Sequence, residues 1–461
     1  MSVEVISRLI IFMVILLRSN ISYITEYDSI IRNFRRVNLE TLKIGSKGTM
    51  VSEIQALLNK LGYDVGIIDG IYGPRTAGVV KSFQKYFGLL PTGEVDTDTY
   101  KLMNRFLLGY DTYRIKPGDT LYLIAKRYYT PLASIITANP KINANSLKVG
   151  EVIIVPYSLD VVYTNIDYTY DIMKKDLEGL KARYPFIELE SAGKSELGKE
   201  IYYVKLGNGP SKVFYNGSHH AIEWITSVLL MKFIENFAKA YAMGQNIEGY
   251  NARDIFRSST IYVMPMVNPD GVDLVLNGLE RSNPYYNDLI KWNNGSLDFS
   301  KNWSANIRGV DLNHNYDAMW QESKNAEASY GIYGPGPTRY SGTSPESETE
   351  SKAVANLTRN NKFRLVIAYH TQGELIYWNF QNLANSEARA IAIIFSQLSG
   401  YNLGETTGIT SYAGYKDWFI EKFRRPGYTI EVGLGQNPLP ISQFNKIYSD
   451  NIKVLLEGAT I

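Results

Sequence analysis

Apolar residues recur every three or four positions in short stretches near the front of the chain. A first stretch at 51–61 is followed by a turn rich in glycine and aspartate at 66–76, and then by a second stretch at 79–87. The repeated positions are Val51, Ile54, Leu57, Leu58, Leu61, Val79, Val80, Phe83 and Phe87. This spacing places each apolar set on one face of a helix. With a third helix capped by Asp96, we predict a three-helix domain over residues 39–109.

The next segment, residues 111–158, has the order strand, helix, helix, strand. Thr120 ends a Pro-Gly-Asp-Thr turn and is placed to cap the first helix. The Asn139-Pro140 pair ends the second helix, because the residue before a proline avoids helical geometry. An apolar run at 152–156 closes the segment. The pattern predicts a small βααβ domain.

Residues 160–461 alternate between two kinds of pattern. Short apolar runs rich in branched and aromatic residues predict strands, for example at 212–217, 260–269, 363–372 and 428–433. Longer amphipathic stretches between them predict helices. Such alternation is typical of an α/β domain, and we expect a mixed twisted sheet flanked by helices. Several polar residues fall at predicted strand ends, where sites of α/β sheets usually lie.

The first 38 residues fit none of these domains. Positions 9–17 are nine consecutive apolar residues directly after Arg8. About 20 residues are needed to span a bilayer, whereas a run of this length is typical of a secretion signal. The basic flank and the cleavage site of a signal are not evident, so a signal, an anchor and a simple hydrophobic tail all remain open. We interpret residues 1–38 as a hydrophobic segment and tether.

Composition and charge exclude several kinds of function. The 48 Lys and Arg residues nearly balance 46 Asp and Glu, for a net charge of +2, so no nucleic-acid partner is expected. Cysteine is absent, which excludes disulfide frameworks, thiol catalysis and zinc–cysteine sites. The four histidines are His219, His220, His314 and His370. Any imidazole ligand of a metal comes from these four.

A possible metal site follows two predicted strands. His220 and Glu223 form an H-x-x-E pattern between a strand and an apolar helix, and His370 ends another predicted strand. One imidazole and one carboxylate three residues apart can face the same point, and a catalytic zinc needs a third ligand and an open position. H-x-x-E alone is common by chance. His219 lies one step out of register and is expected to support the site, with direct ligation as the alternative.

The two front segments resemble known wall-binding modules. Residues 48–63, 69–76 and 80–89 match, in order, three pieces of the peptidoglycan-binding three-helix repeat of bacterial wall hydrolases. The segment from Tyr113 to Pro156 resembles a LysM domain over nearly its full length. LysM modules bind glycans that contain N-acetylglucosamine. The resemblance therefore implies peptidoglycan as a partner.

The large remainder resembles the zinc carboxypeptidase family from about Tyr168 to the C-terminus. The motifs, in family order, are G-K-S-E-L-G-K-E-I-Y, H-x-x-E, N-P-D-G, G-V-D-L-N, the His370 strand end and Y-T-I-E-V-G. The resemblance implies one Zn²⁺ held by His220, Glu223 and His370, with Glu431 as general base. Ser304 stands where the family often has a basic residue, so Arg308 is the nearest candidate for stabilising the oxyanion.

Three positions depart from the carboxypeptidase pattern. Asn313-His314 stands where the family has an Asn-Arg clamp for a C-terminal carboxylate, and His lacks the charged fork of Arg. We interpret both residues as substrate contacts. Tyr412 or Tyr415 could replace the family's mobile Tyr. Lys416 stands at the floor of the specificity pocket and would favour a substrate carboxylate.

The departures are similar to those of γ-D-glutamyl-L-diamino acid endopeptidases. The shared stretches include N-G-S-H-H-A-x-E-W-I-T and A-G-Y-K-D-W-F-I-x-K-F-R-R-P-G. This resemblance implies hydrolysis of the bond between γ-D-glutamate and meso-diaminopimelate (or L-Lys) in the peptide stem. The alternatives are an acid-selective zinc metallocarboxypeptidase that trims C-terminal residues and a glycan-binding wall protein with an inactive peptidase domain.

The same resemblance bears on where the protein acts. Peptidoglycan as substrate implies a protein that is secreted or held in the cell envelope or wall of a bacterium. A spore-associated or mother-cell cytoplasmic location is the alternative.

Overall fold

The computed structural model describes residues 40–405 and 408–461. The hydrophobic segment expected at 9–17 lies outside these residues. Within the described part of the chain, no helix is long and apolar enough to cross a bilayer. The chain divides into two compact units. One holds the described residues up to Ile166 with Lys175–Pro185, and the other holds Asp167–Lys174 with Phe186–Ile461.

The first unit begins with the three predicted helices. They are α1 (Thr49–Lys60), α2 (Pro74–Tyr86) and α3 (Thr97–Leu108). Their apolar faces form a buried core that includes Ile54, Phe83 and Met103. Asp96 caps α3 by accepting a hydrogen bond from the backbone N–H of Thr99, as its position before the helix predicts.

The predicted βααβ arrangement follows in the same unit. Its elements are β1 (Tyr110–Arg114), α4 (Leu121–Tyr128), α5 (Leu132–Ala138) and β2 (Val152–Pro156). The two strands pair antiparallel, and Thr120 caps α4 through the N–H of Leu123. The helix α6 (Tyr170–Arg183) then begins in the second unit and ends in the first.

The second unit alternates strands and helices. The elements up to the middle of the sheet are β3 (Glu188–Lys194), β4 (Glu200–Leu206), β5 (Ser211–Gly217), α7 (Ile225–Met243), β6 (Asn246–Ile247), β7 (Tyr250–Asn251), α8 (Ala252–Ser258), β8 (Ser259–Met264), α9 (Pro269–Asn277) and α10 (Tyr286–Trp292). The remaining elements are α11 (Trp320–Glu327), α12 (Thr349–Asn361), β9 (Leu365–His370), β10 (Leu375–Tyr377), α13 (Ser386–Ser399), β11 (Asn402–Gly404), α14 (Tyr415–Phe423), β12 (Gly427–Glu431) and α15 (Phe444–Thr460).

Within the described residues, eight of these strands form one mixed sheet. Their order is β11-β10-β12-β9-β5-β8-β4-β3. The central strands β12, β9, β5 and β8 run parallel, and the strands outside them include antiparallel pairs. The predicted α/β class, with a mixed sheet and flanking helices, is confirmed. The two small domains also have the predicted helical and βααβ character.

The parallel centre of the sheet explains where a site can form. The chain passes from β5 through α7 to β8 on one side, whereas β9 pairs with β5 on the other side. Ligands of open α/β sheets bind outside the carboxyl ends of strands at such a switch point. The carboxyl ends of β5, β9 and β12 lie next to one another there, and each carries one of the predicted site residues or leads into it.

Candidate active site

The three predicted metal ligands lie together at the carboxyl ends of β5 and β9. His220 precedes a single 3₁₀ turn, Ala221–Glu223, which brings Glu223 back toward the same point. His220 Nδ1 lies 2.9 Å from one oxygen of Glu223, and His370 Nδ1 lies 3.0 Å from the other. The two Nδ1 atoms are 3.2 Å apart. The two histidines are 150 residues apart in the chain, and the pairing of β5 with β9 brings them together.

This donor set fits a divalent metal ion. Two imidazole nitrogens and one carboxylate oxygen, one atom from each of the three residues, lie within 4.8 Å of one another. Burial alone would raise the pKa of Glu223, but His220 and His370 lower it to about 2, so the carboxylate is ionised. Two His and one Glu, with a position left open, are a ligand set typical of catalytic zinc.

Asp311 holds His220 in this orientation. Its Oδ1 accepts a hydrogen bond from His220 Nε2 at 3.0 Å, which leaves Nδ1 free to face the cluster. The backbone N–H groups of Asn313 and Arg339 also donate to this carboxylate. Although burial opposes ionisation, His220 lowers the pKa of Asp311 far below its ordinary value. A carboxylate behind a metal-binding His fixes the tautomer and the ring orientation.

Sequence reasoning placed Asp311 in a family motif without giving it a role. The signal was present in G-V-D-L-N, but the partner is 91 residues away in the chain. Asn437 was missed altogether. Its Nδ2 donates to the carbonyl of Thr371 at 2.9 Å and lies 3.4 Å from a Glu223 oxygen, so it helps to hold that carboxylate.

His219 lies behind the cluster and is not part of it. Its ring is fully buried and stacks on His370 with ring centroids 5.6 Å apart. Its Nε2 is 2.9 Å from the hydroxyl of Tyr316. Burial lowers the pKa of His219 well below its ordinary value, so the ring is neutral. The geometry agrees with the expected supporting position.

Glu431 ends β12 and pairs in register with His370 at the end of β9. One of its carboxylate oxygens, Oε2, is buried and has no hydrogen-bond partner within the described residues. Burial and then the nearby carboxylate of Glu223 raise the pKa of Glu431 well above its ordinary value. A carboxylate so placed has a high affinity for a proton, as a general base needs.

The structure does not support Arg308 as the oxyanion stabiliser. Its guanidinium donates to Glu196 at 3.1 Å and lies 3.8 Å from Glu348. Two acidic partners neutralise the charge that the role would need. Sequence distance hid this arrangement, because Glu196 lies 112 residues away.

Lys416 is likewise engaged within the protein. Its side chain is 3% exposed, and its Nζ lies 2.5 Å from Asp417 Oδ1 and 2.7 Å from the carbonyl of Asn379. An ion pair this close and this buried leaves no free charge for a substrate carboxylate. The sequence-based assignment of Lys416 as the carboxylate reader is therefore corrected.

Asn313 and His314 lie directly beyond Asp311. Asn313 accepts a hydrogen bond from the backbone N–H of Tyr415 through Oδ1, and its amide nitrogen has no hydrogen-bond partner among the residues that the structure describes. His314 is 8% exposed, and burial lowers its pKa. A neutral His314 cannot act as a charged clamp for a C-terminal carboxylate.

The two candidate tyrosines occupy different environments. Tyr415 is fully buried, and its hydroxyl is 2.9 Å from the hydroxyl of Thr358. Its ring packs against Phe214 and Tyr316 in the core. Tyr412 is half-exposed. Of the two, Tyr412 is the one that solvent reaches.

Comparison with known proteins agrees with this geometry. The profile of the zinc carboxypeptidase family matches residues 173–454, which is more than half of the chain. The chain belongs to the zinc carboxypeptidase family. In front of this domain, profiles of a peptidoglycan binding domain and a LysM domain match residues 47–103 and 113–156. The predicted family and the predicted order of modules are both confirmed.

Several curated proteins are similar to this chain. γ-D-Glutamyl-L-diamino acid endopeptidase 1 of Lysinibacillus sphaericus is 41% identical over 75% of this chain and 98% of its own length. YqgT of Bacillus subtilis (strain 168), an uncharacterized protein, is 37% identical over 62% of this chain and 76% of its own. Carboxypeptidase B of Bos taurus is 25% identical over 53% of this chain and 58% of its own length.

These matches establish the enzyme class. The chain is a zinc metallopeptidase with modules that act in a cell-wall context. Its family depends on zinc, and the cluster of His220, Glu223 and His370 is a possible site for that ion.

Proposed function

We propose that this zinc carboxypeptidase relative hydrolyses peptidoglycan stems between γ-D-glutamate and meso-diaminopimelate, or L-Lys in stems that carry it. The observation that carries the proposal is the 41% identity to a γ-D-glutamyl-L-diamino acid endopeptidase, extending over 98% of that protein. The match covers 75% of this chain, which is more than the stretch 173–454 that the zinc carboxypeptidase profile covers. The proposal therefore concerns the substrate and not only the family.

One Zn²⁺ per chain would be held by His220, Glu223 and His370. When bound, it lowers the pKa of a water molecule and polarises the scissile carbonyl. Glu431 then takes a proton from the attacking water and delivers it to the leaving amine. Its unpartnered Oε2 and its position beside His370 support this role. Asp311 keeps His220 oriented throughout.

The substrate side of the site supports cleavage inside a stem. A carboxypeptidase recognises a free C-terminal carboxylate, for which a charged Arg fork is well suited. Here that position is the buried, neutral His314. Asn313 offers an amide N–H₂ group, and Tyr412 is exposed enough to close over a bound peptide. These groups can hold a peptide without demanding a chain end.

The two front modules would hold the enzyme on its polymer. The peptidoglycan binding domain and the LysM domain would bind glycan strands while the zinc domain cuts the peptide stem. Linked binding sites raise the local concentration of substrate without changing the chemistry. We place the protein outside the membrane, secreted or within the cell envelope.

Digestion of a defined stem tests the proposal. The tetrapeptide L-Ala-γ-D-Glu-meso-diaminopimelyl-D-Ala is incubated with the full chain, and products are resolved by mass spectrometry. We expect L-Ala-D-Glu and a diaminopimelyl-D-Ala dipeptide. Release of D-Ala alone would show a carboxypeptidase. Removing the metal with a chelator should stop the reaction, and adding zinc should restore it.

A further inference from the structure

Arg339 is attached to the candidate site through its own backbone. Its N–H donates to Asp311 Oδ2 at 2.8 Å, while Asp311 Oδ1 holds the ligand His220. The neighbouring Thr338 hydroxyl donates to the same Oδ2 at 3.2 Å. Arg339 also has φ of 66°, in the left-handed region that few non-glycine residues adopt. The segment is thus held at this point by the carboxylate that orients a metal ligand.

The guanidinium of Arg339 is not neutralised by the protein. Within residues 40–405 and 408–461, it forms no ion pair and no side-chain hydrogen bond. Its Cζ lies 5.5 Å from the centre of the Tyr330 ring, and Tyr330 is 47% exposed. Two other cations were predicted for the site, Arg308 for the oxyanion and Lys416 for a substrate carboxylate, and both have acidic partners. Of these three cations, Arg339 is therefore the one whose charge is available to a substrate carboxylate.

Arg339 and Asn313 are held by the same carboxylate. The N–H of Arg339 donates to Asp311 Oδ2 at 2.8 Å, and the N–H of Asn313 donates to Asp311 Oδ1 at 3.1 Å. Asn313 and the next residue, His314, are the predicted substrate contacts. The backbone of Arg339 is therefore anchored beside the segment where a bound peptide is expected to pass.

We propose that Arg339 binds the free α-carboxylate of the D-glutamyl residue beside the scissile bond. This inference rests on the proposed function, which supplies a substrate with such a carboxylate. A guanidinium binds a carboxylate through two parallel hydrogen bonds, which no amide can match. The Arg339 backbone is linked through Asp311 to His220, a member of the cluster. A side chain that begins this close to the cluster is suited to a group next to the reacting carbonyl.

Two stem peptides that differ at one group test this assignment. The first is L-Ala-γ-D-Glu-meso-diaminopimelate, and the second carries an amide in place of the glutamyl α-carboxylate. Wild type should cleave the acid about tenfold to a hundredfold more efficiently than the amide, as expected for a charge-assisted contact. Arg339→Gln should lower kcat/KM for the acid to nearly the value for the amide. The same substitution should change kcat/KM for the amide by less than about threefold.

Two variants sharpen the comparison. Arg339→Lys keeps the charge but not the fork, so it should restore part of the preference for the acid. Arg281→Gln removes an exposed Arg of the same unit with no ion pair among the described residues, and should leave both substrates unchanged. An equal loss on acid and amide in Arg339→Gln would overturn the proposal, since it would indicate an oxyanion or structural role. Unchanged preference would overturn it as well.

The proposed function is tested separately by the wild type. Cleavage of the acid stem by the wild type shows which bond the enzyme hydrolyses. The ratio of kcat/KM for the acid to kcat/KM for the amide shows whether Arg339 binds the α-carboxylate. If the wild type cleaves neither, binding of the two peptides to zinc-loaded Glu431→Gln still distinguishes the outcomes by calorimetry. Tighter binding of the acid that disappears in Arg339→Gln/Glu431→Gln supports the assignment. Equal binding of both peptides contradicts it.

Discussion

Gln55 and Gln84 are buried polar side chains in the three-helix region, and both are fully satisfied. The Oε1 of Gln84 accepts from the N–H of Gly93 at 2.8 Å. Its Nε2 lies within 3.1 Å of three acceptors, the hydroxyls of Thr92 and Thr99 and the carbonyl of Glu94. Gln55 makes the same kind of network around Gly70.

The polar groups at the ends of β5, β9 and β12 are arranged differently. His370 Nε2, His219 Nδ1 and Glu431 Oε2 are buried without a hydrogen-bond partner within the described residues. The Nδ1 atoms of His220 and His370 face each other at 3.2 Å, with Glu223 against both. Native proteins seldom leave buried polar atoms unpaired unless function requires it.

This contrast separates two uses of buried polarity. A glutamine whose donors and acceptors all have partners stabilises the turn around it, because unfolding would exchange those bonds for water. Convergent atoms without partners cost stability and become useful only when a metal or substrate binds. Mutations of these glutamines in the three-helix region should therefore lower the stability of the fold. Mutations at the strand ends should instead change metal binding or catalysis.

The largest expected effect is on catalysis. Glu431→Gln should lower the hydrolysis of stem peptide by about 10²–10⁴-fold, because the proton acceptor is lost. Zinc content, measured by atomic absorption, should remain that of the wild type. In the matched variant Glu223→Ala, a metal ligand is removed, so zinc content should fall together with activity. Equal loss of zinc in both variants would mean that Glu431 binds the metal.

The next effect concerns metal affinity. Asp311→Asn removes the charge behind His220 and should weaken zinc binding by about tenfold to a hundredfold. Competition with a chromogenic chelator measures this change. The control is Asp317→Asn, an exposed carboxylate six positions further along the chain, which should leave zinc affinity unchanged. An Asp311→Asn protein with wild-type affinity would show that the hydrogen bond to His220 does not position the ligand.

In the three-helix region, the expected effect is on folding. Gln84→Ala leaves the N–H of Gly93 and several acceptors unpaired, so it should lower the free energy of unfolding by about 1–3 kcal/mol. Thermal unfolding measures the loss, and turnover of soluble stem peptide by the folded protein should not change. Gln321→Ala, on the surface of α11, should cost less than about 0.5 kcal/mol. Similar losses of unfolding free energy in Gln84→Ala and Gln321→Ala would show that the buried hydrogen bonds of Gln84 do not stabilise the fold.

The smallest effect separates binding from chemistry. Oligomers of N-acetylglucosamine should slow the digestion of intact sacculi severalfold by occupying the glycan-binding modules, without affecting soluble stem peptide. Release of stem fragments over time measures both reactions. Oligomers of glucose serve as the matched control and should have no effect. Equal inhibition on both substrates would place the oligomer in the catalytic site instead.

The predictions from sequence succeeded where the needed signal is local. Helical spacing gave the three front helices, and Thr120 and Asp96 gave two caps. Apolar runs ending in polar residues indicated the strands of the parallel centre. His220 and Glu223 could be paired because one turn separates them, and His370 because it ends a buried strand.

Assignments that depend on distant partners could be made only from the tertiary structure. Arg308 and Lys416 carry the charge that their predicted roles need, but Glu196 and Asp417 neutralise it. The role of Asp311 and the free guanidinium of Arg339 depend equally on what lies nearby. By itself, the sequence determined the class of sheet and the His220–Glu223 pair, because these follow from periodicity and short-range spacing, whereas the order of domains and the full ligand set came from the resemblance to known families. Which charges remain available to a substrate was decided by the fold, because the field at a side chain depends on neighbours that the chain brings together from far apart.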